Sequence, residues 1–271
     1  MSEHHANDQA GLPWQKSVSG RARYKVIACE ILYREVCACA AVSTSVTDPV
    51  FMPKGLHDIG KEKMRLRLQA VIDAVDPEHY DAILLVYGLC NLGVQGLTAR
   101  VPLVIPRAHD CITLMLGSRD AYQDYFDQHP GTYFKSPGWI ERETADLTDD
   151  QTIPTQLGIN HTYQEYVEQY GEENAEYLMS VLGDWLHQYQ RLTYIDTGTG
   201  SAEADIRLTQ EQAAERNWAF ETIRGEMSLL RRLLDGDWNK DDFLVIQPDE
   251  QIVATYDPGI VAAAPLSSGK A

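Results

Sequence analysis

The stretch DAILLVY, Asp81 to Tyr87, is apolar at every position between its two end residues. A strand with one wet face alternates polar and apolar residues, whereas a continuous run belongs to a strand covered on both faces. Such strands lie in parallel sheets wrapped by helices. The flanking sequence repeats the same alternation of elements. YKVIAC and VPLVIP are two more short apolar strands, and PVFMP is a candidate fourth. Between them, EILYREVCACAAV places Ile31, Leu32, Val36 and Cys39 on one helical face. GKEKMRLRLQAVIDAV places Met64, Leu66, Leu68, Val71, Ile72 and Val75 on another. Strand and helix in close succession predict an α/β fold, a mainly parallel sheet with helices on both faces, Rossmann-like or flavodoxin-like.

The second half is more helical, and a helical C-terminal elaboration is expected there. CITLMLGSRDAYQDYFDQH reads as one helix, and RLTYID as a strand ending at Asp196. TQEQAAERNWAFETIRGEMSLLRRLLDG reads as a helix started by Thr209, with Gln212 three residues on, and stopped by Gly236. DFLVIQP supplies a further strand. The expected organisation is a disordered leader over residues 1–22 and a single α/β domain over 23–258, with a helical insertion around 160–190. A flexible tail follows over 259–271.

Forty acidic against 23 basic side chains give a formal charge of −17, which disfavours nucleic acid or an anionic membrane as the main partner. No apolar run is long enough to cross a bilayer, and the N-terminal stretch lacks the apolar core of a secretory signal. A cytoplasmic location is therefore expected, where thiols stay reduced, and an odd total of five cysteines argues against a disulfide framework.

Three of those cysteines fall where strands end. Cys29 closes YKVIAC, Cys90 follows DAILLVY by three residues, and Cys111 comes shortly after VPLVIP. In a parallel sheet all three leave the same edge, and the carboxyl edge is where open α/β sheets bind ligands. Thiolates select soft ions such as zinc or iron–sulfur clusters, and three protein ligands leave a coordination position open. His109, in RAHDC, is a fourth ligand or proton shuttle, and Asp110 either orients an imidazole or caps the following helix. Arg107 would grip a substrate carboxylate or phosphate, and Glu35, a turn or more beyond Cys29, would point back at the same edge. The turn opening at Tyr87 carries Gly88, Gly93 and Gly96, which allow backbone to approach a bound cofactor closely. It lacks the dinucleotide fingerprint and a phosphate-loop lysine. Cys37 and Cys39 sit two apart in a helix, do not face one way, and are expected as small packing residues.

CEILYRE, GLHD, DAILLVYGLCNLGVQGL, PLVIPRAHDCITLMLGS and GTYFKSPGWIE together resemble an uncharacterised bacterial and archaeal family, the domain of unknown function DUF1638. The resemblance spans roughly Tyr24 to Glu141. Cys29, Glu35, His57, Tyr87, Gly88 and Cys90 fall on its characteristic positions. So do Gly93, Arg107, His109, Asp110, Cys111, Gly117 and Trp139, whereas Cys37 and Cys39 lie outside the pattern. Members accompany corrinoid-dependent methyltransferases, so the resemblance implies methyl-group, one-carbon metabolism. The expectation is a metal-dependent transferase of methyl or related groups, acting on a small-molecule thiol or methylated substrate. Zinc is the expected metal, with a [4Fe–4S] cluster on the same cysteines as the alternative. A non-catalytic accessory protein, partnering a corrinoid protein or methyltransferase, is the competing expectation.

Overall fold

A computed structural model of the chain describes residues 20–57, 59–90, 92–142 and 189–266. Its first sheet has the order β2-β1-β3-β4-β8, built from Val46–Met52, Arg23–Cys29, Ala82–Val86, Leu103–Pro106 and Phe243–Ile246. The first four strands are parallel and β8 runs antiparallel to β4. The protein is thus α/β with a mainly parallel sheet, and the order of its first four strands is the flavodoxin-like one.

Each face of this sheet buries its own core. Alternate residues of β1 and β3 divide between the faces: Ile27, Cys29, Ile83 and Leu85 point one way, Val26, Ala28, Leu84 and Val86 the other. On the first face lies α2 (Lys61–Asp73), contributing Met64, Leu68 and Ile72. On the second lie α1 (Tyr33–Val42) through Val36 and Cys39, and a C-terminal helix, Ser228–Asp235, through its four buried leucines. Burial on both faces is why DAILLVY shows no polar alternation: Ala82 to Val86 are all 0–1% exposed.

A second, three-stranded parallel sheet has the order β5-β6-β7, from Thr132–Lys135, Arg191–Asp196 and Ala219–Arg224. An antiparallel hairpin, β9 (Glu250–Ala254) with β10 (Val261–Pro265), tucks Ile252 and Val261 into the α2-side core.

Several expectations change. The segment expected as one helix after VPLVIP is two, α3 (Cys111–Leu116) and α4 (Arg119–Gln128). Gly117 in left-handed conformation ends the first, and the Ser118 hydroxyl caps the second. The expected helix from Thr209 is instead α6 (Ala202–Glu215), strand β7 and α7 (Ser228–Asp235). Thr209 does not cap anything; it is buried inside α6 and donates to the Asp205 carbonyl four residues back. Val261–Pro265, placed in a flexible tail from the sequence, pair as β10. Leu66 leaves the expected apolar stripe, at 57% exposed, because two residues from Met64 turns it to the opposite side of α2. Residues 1–19 of the leader and the insertion up to residue 188 lie outside the described residues. No described helix is long and apolar enough to cross a membrane.

Candidate functional site

Cys29, Cys90 and Cys111 line one cavity at the carboxyl edge of the first sheet, with a volume of about 860 Å³. They come from the ends of three adjacent strands, β1, β3 and β4. The register explains the first pairing: Ala28 faces Val86, so Cys29 and Tyr87 follow side by side and share a core on the α2 face. The edge between β1 and β3 is also where the strand order reverses, the usual position of ligands in such sheets.

Two loops then lock together to bring in the other sulfurs. Leu89 N–H donates to the Ala108 carbonyl at 2.8 Å, and Cys90 N–H to the His109 carbonyl at 3.0 Å. This approach needs a glycine at position 88, because a Cβ there would meet the Asp110 nitrogen at 2.5 Å and the His109 carbonyl carbon at 2.7 Å. Cys90 itself is held in left-handed conformation, with φ +42°, and Leu92 follows at +67°. A non-glycine residue at such a position costs about 1–2 kcal/mol, which glycine would relieve.

The sulfurs feel one another. Burial pushes the Cys90 thiol above its ordinary pKa, and Cys29 and Asp110 push it further. Burial raises Cys111 well above the ordinary value, with Asp110, Cys29 and Cys90 adding to it. Tyr87 is raised well above its usual value by burial, then by Cys29 and Cys90. Its hydroxyl is buried against the Cys29 side chain, a hydrogen-bonding contact that raises it further. With no cation beside them, these groups stay protonated.

Asp110 is the N-cap of α3: its carboxylate accepts from Ile112 N–H at 3.0 Å and more weakly from Thr113 N–H, and from the Tyr122 hydroxyl at 3.3 Å. Burial raises its pKa against the pull of those donors. The capping role allowed by the sequence is therefore occupied, and Asp110 lines the cavity as well. His109 lines the cavity from an exposed position, its ring 6.4 Å from that of Tyr122.

Other expected site residues go elsewhere. The Arg107 guanidinium donates to the Lys240 carbonyl at 3.0 Å, the Gly259 carbonyl at 2.8 Å and the Val261 carbonyl, so it clamps the hairpin instead of facing the cavity. Glu35 is 1% exposed and accepts from the Thr197 hydroxyl at 2.6 Å and the Thr199 hydroxyl at 2.9 Å, at the end of β6. It stands apart from the cysteines because α1 packs on the face of the sheet opposite the Cys29 side chain. At Gly93 a Cβ would strike the Met64 side chain at 2.2 Å, and Gly96 turns the chain at φ +81°; neither lines the cavity.

The other wall was not foreseen. Tyr122 and Phe126 of α4, Tyr133 and Phe134 of β5, and Tyr189 face the cavity beside Trp139 of α5 (Pro137–Glu141), the one member of this wall that the sequence marked. The signal available for α4 was the four-residue spacing of Tyr122 and Phe126, which puts both on one helical face.

Among the described residues, no group of three or more His, Cys, Asp or Glu side chains is already arranged to hold a metal ion. In kind, one buried and two half-buried sulfurs are donors that suit a soft ion better than a hard one.

A family model described as "Protein of unknown function (DUF1638)" matches residues 51–234, about two thirds of the chain, and the chain belongs to that family. No curated protein and no solved structure matches it.

Proposed function

We propose that the cavity is a thiol site for a soft metal ion, zinc first, and that the protein is a metal-dependent transferase moving a methyl or related group to or from a thiol. The observation that carries this is the meeting of Cys29, Cys90 and Cys111, 61 and 21 positions apart in sequence, in one cavity wall. When bound, zinc would hold a substrate thiol as a thiolate in the open position, where it stays nucleophilic near neutral pH. The chain supplies the rest. The three cysteines turn inward and give up their protons, and the cation offsets the burial that otherwise keeps them neutral. His109, exposed at the wall, accepts and returns a proton. Asp110 holds the Cys111 turn in place by capping α3, and the aromatic wall keeps water from the reacting sulfur. A corrinoid-dependent methyltransferase system is the setting the family resemblance suggests, with a corrinoid protein or a methyltransferase as partner.

A second reading has the same cysteines hold a [4Fe–4S] cluster with one open iron, and a cavity of about 860 Å³ has room for it. The test is elemental analysis of protein purified anaerobically without chelators. Wild type and Cys37→Ala should carry about one zinc per chain, and Cys29→Ser, Cys90→Ser and Cys111→Ser less than a tenth of that. Iron with visible absorption that bleaches in air favours the cluster. Bound zinc with no turnover of any methyl donor and thiol pair favours metal delivery. Equal metal content in all five proteins would remove the site.

A further inference from the structure

The cavity is far larger than an ion and a small thiol require, and its composition is uneven. Seven of its twenty described lining residues are Phe, Trp or Tyr, against 9% of the whole chain. In the same lining, Tyr122 and Phe126 lie nearly parallel, 16° apart with centroids separated by 6.1 Å. Tyr133 and Tyr189 meet edge to face at 5.6 Å. Ring faces exposed to a cavity attract other rings and cations through their negative quadrupole. Charge points the same way: the described lining holds the Asp110 carboxyl, Lys54 is its one Lys or Arg, and the chain carries −17.

We infer that the aromatic wall is a stacking slot for a planar, conjugated ring ligand without net negative charge, held in the same cavity as the three sulfurs. This names the substrate class of the proposed thiol site and rests on that reading only in that ring and sulfurs share one cavity. Polyanions such as nucleoside phosphates are rejected, because the wall gives their charge no partner beyond Lys54.

Two three-ring probes of opposite charge test it, 9-aminoacridine and 9-anthracenecarboxylate, followed by fluorescence titration of the full chain. The cationic probe should bind with quenched emission and the anionic one at least ten-fold more weakly. Phe126→Ala, at a position already 45% exposed, and Trp139→Ala should each weaken 9-aminoacridine about five-fold while zinc content holds. Leu92→Arg, which adds a cation to the lining, should shift the preference towards the carboxylate, a gain that misfolding cannot imitate. Cys90→Ser should lose zinc and still bind the probe. Unchanged 9-aminoacridine affinity in both aromatic variants, equal affinity for the two probes, or an unmoved preference in Leu92→Arg would overturn the slot. Wild-type protein that binds 9-aminoacridine but no zinc would instead count against the thiol site and leave the slot standing.

Discussion

The two larger described sheets, one mainly and one wholly parallel, have carboxyl edges that meet different fates. At the first, strand ends deliver three cysteines and a tyrosine into an open cavity. At the second, among the described residues, side chains and loops fill the space. The loop after β6 gives Thr197 and Thr199 to Glu35, and the Thr199 carbonyl to Arg34, which also pairs with Glu141. Pro137 lies where a Cβ on Gly200 would be, at 2.6 Å, and Gly138 abuts the Ile31 carbonyl. A carboxyl edge therefore offers a site by topology, but only side chains that leave it unfilled keep one. The second Glu35 oxygen is buried without a partner among the described residues, so even the closed edge is not fully satisfied.

The sharpest way to break the contrast is to close the first edge from within. Gly88→Ala should drive a methyl group into the Asp110 backbone, part the two loops, abolish metal binding and destabilise the fold by roughly 1–3 kcal/mol. Gly198→Ala, at the second edge, has nothing within 4 Å of its new Cβ. It should cost about 1 kcal/mol for its left-handed backbone and leave metal binding alone. Urea melts paired with zinc analysis read both.

Opening the second edge should disturb stability and not ligand binding. Glu35→Ala removes the shared acceptor of the Thr197 and Thr199 hydroxyls, which keep only their mutual bond at 2.9 Å, and should cost roughly 1–2 kcal/mol. Glu35→Gln keeps an acceptor for both and should cost less than about 1 kcal/mol. Neither should change zinc content, and a loss of zinc in Glu35→Gln would tie the two edges together.

The smallest effect concerns pH. Cys90 and Cys111 are harder to ionise folded than unfolded, so the unfolded chain releases their protons first. Stability of the metal-free protein is unaffected below the ordinary thiol pKa of 9.0 and falls as pH rises from there towards the folded value. Cys90→Ala should flatten that fall by up to about 1 kcal/mol per pH unit. A wild-type melt independent of pH above 9 would contradict the burial of these thiols.

How much of this was legible in the sequence depended on how local the cause was. The strands DAILLVY and VPLVIP announced themselves by uninterrupted apolar runs, and once they are parallel the convergence of Cys29, Cys90 and Cys111 follows. Asp110 as a cap was equally local. Glu35 misled because its distance along the chain says nothing about which face of the sheet α1 covers. Arg107 misled because its carbonyl partners lie 133 to 154 residues away, one just before β8 and two in a hairpin whose small alanine-rich strand gives little pattern. Strand β7, AFETIR, was hidden between two good helix formers and has no fully buried residue to mark it. The aromatic wall was scattered over α4, β5, α5 and Tyr189, two residues before β6, so no single window revealed it.

The central claim is that three sulfurs can close on one ion. Titrating reduced, metal-free protein with cadmium under anaerobic conditions reads this directly, because the sulfur-to-cadmium charge-transfer band in the ultraviolet scales with the number of thiolates bound. The account predicts saturation at one ion per chain with the intensity of three thiolates, falling by about a third in each of Cys29→Ser, Cys90→Ser and Cys111→Ser and unchanged in Cys37→Ala. No band, or a band of undiminished strength in those three variants, would contradict it.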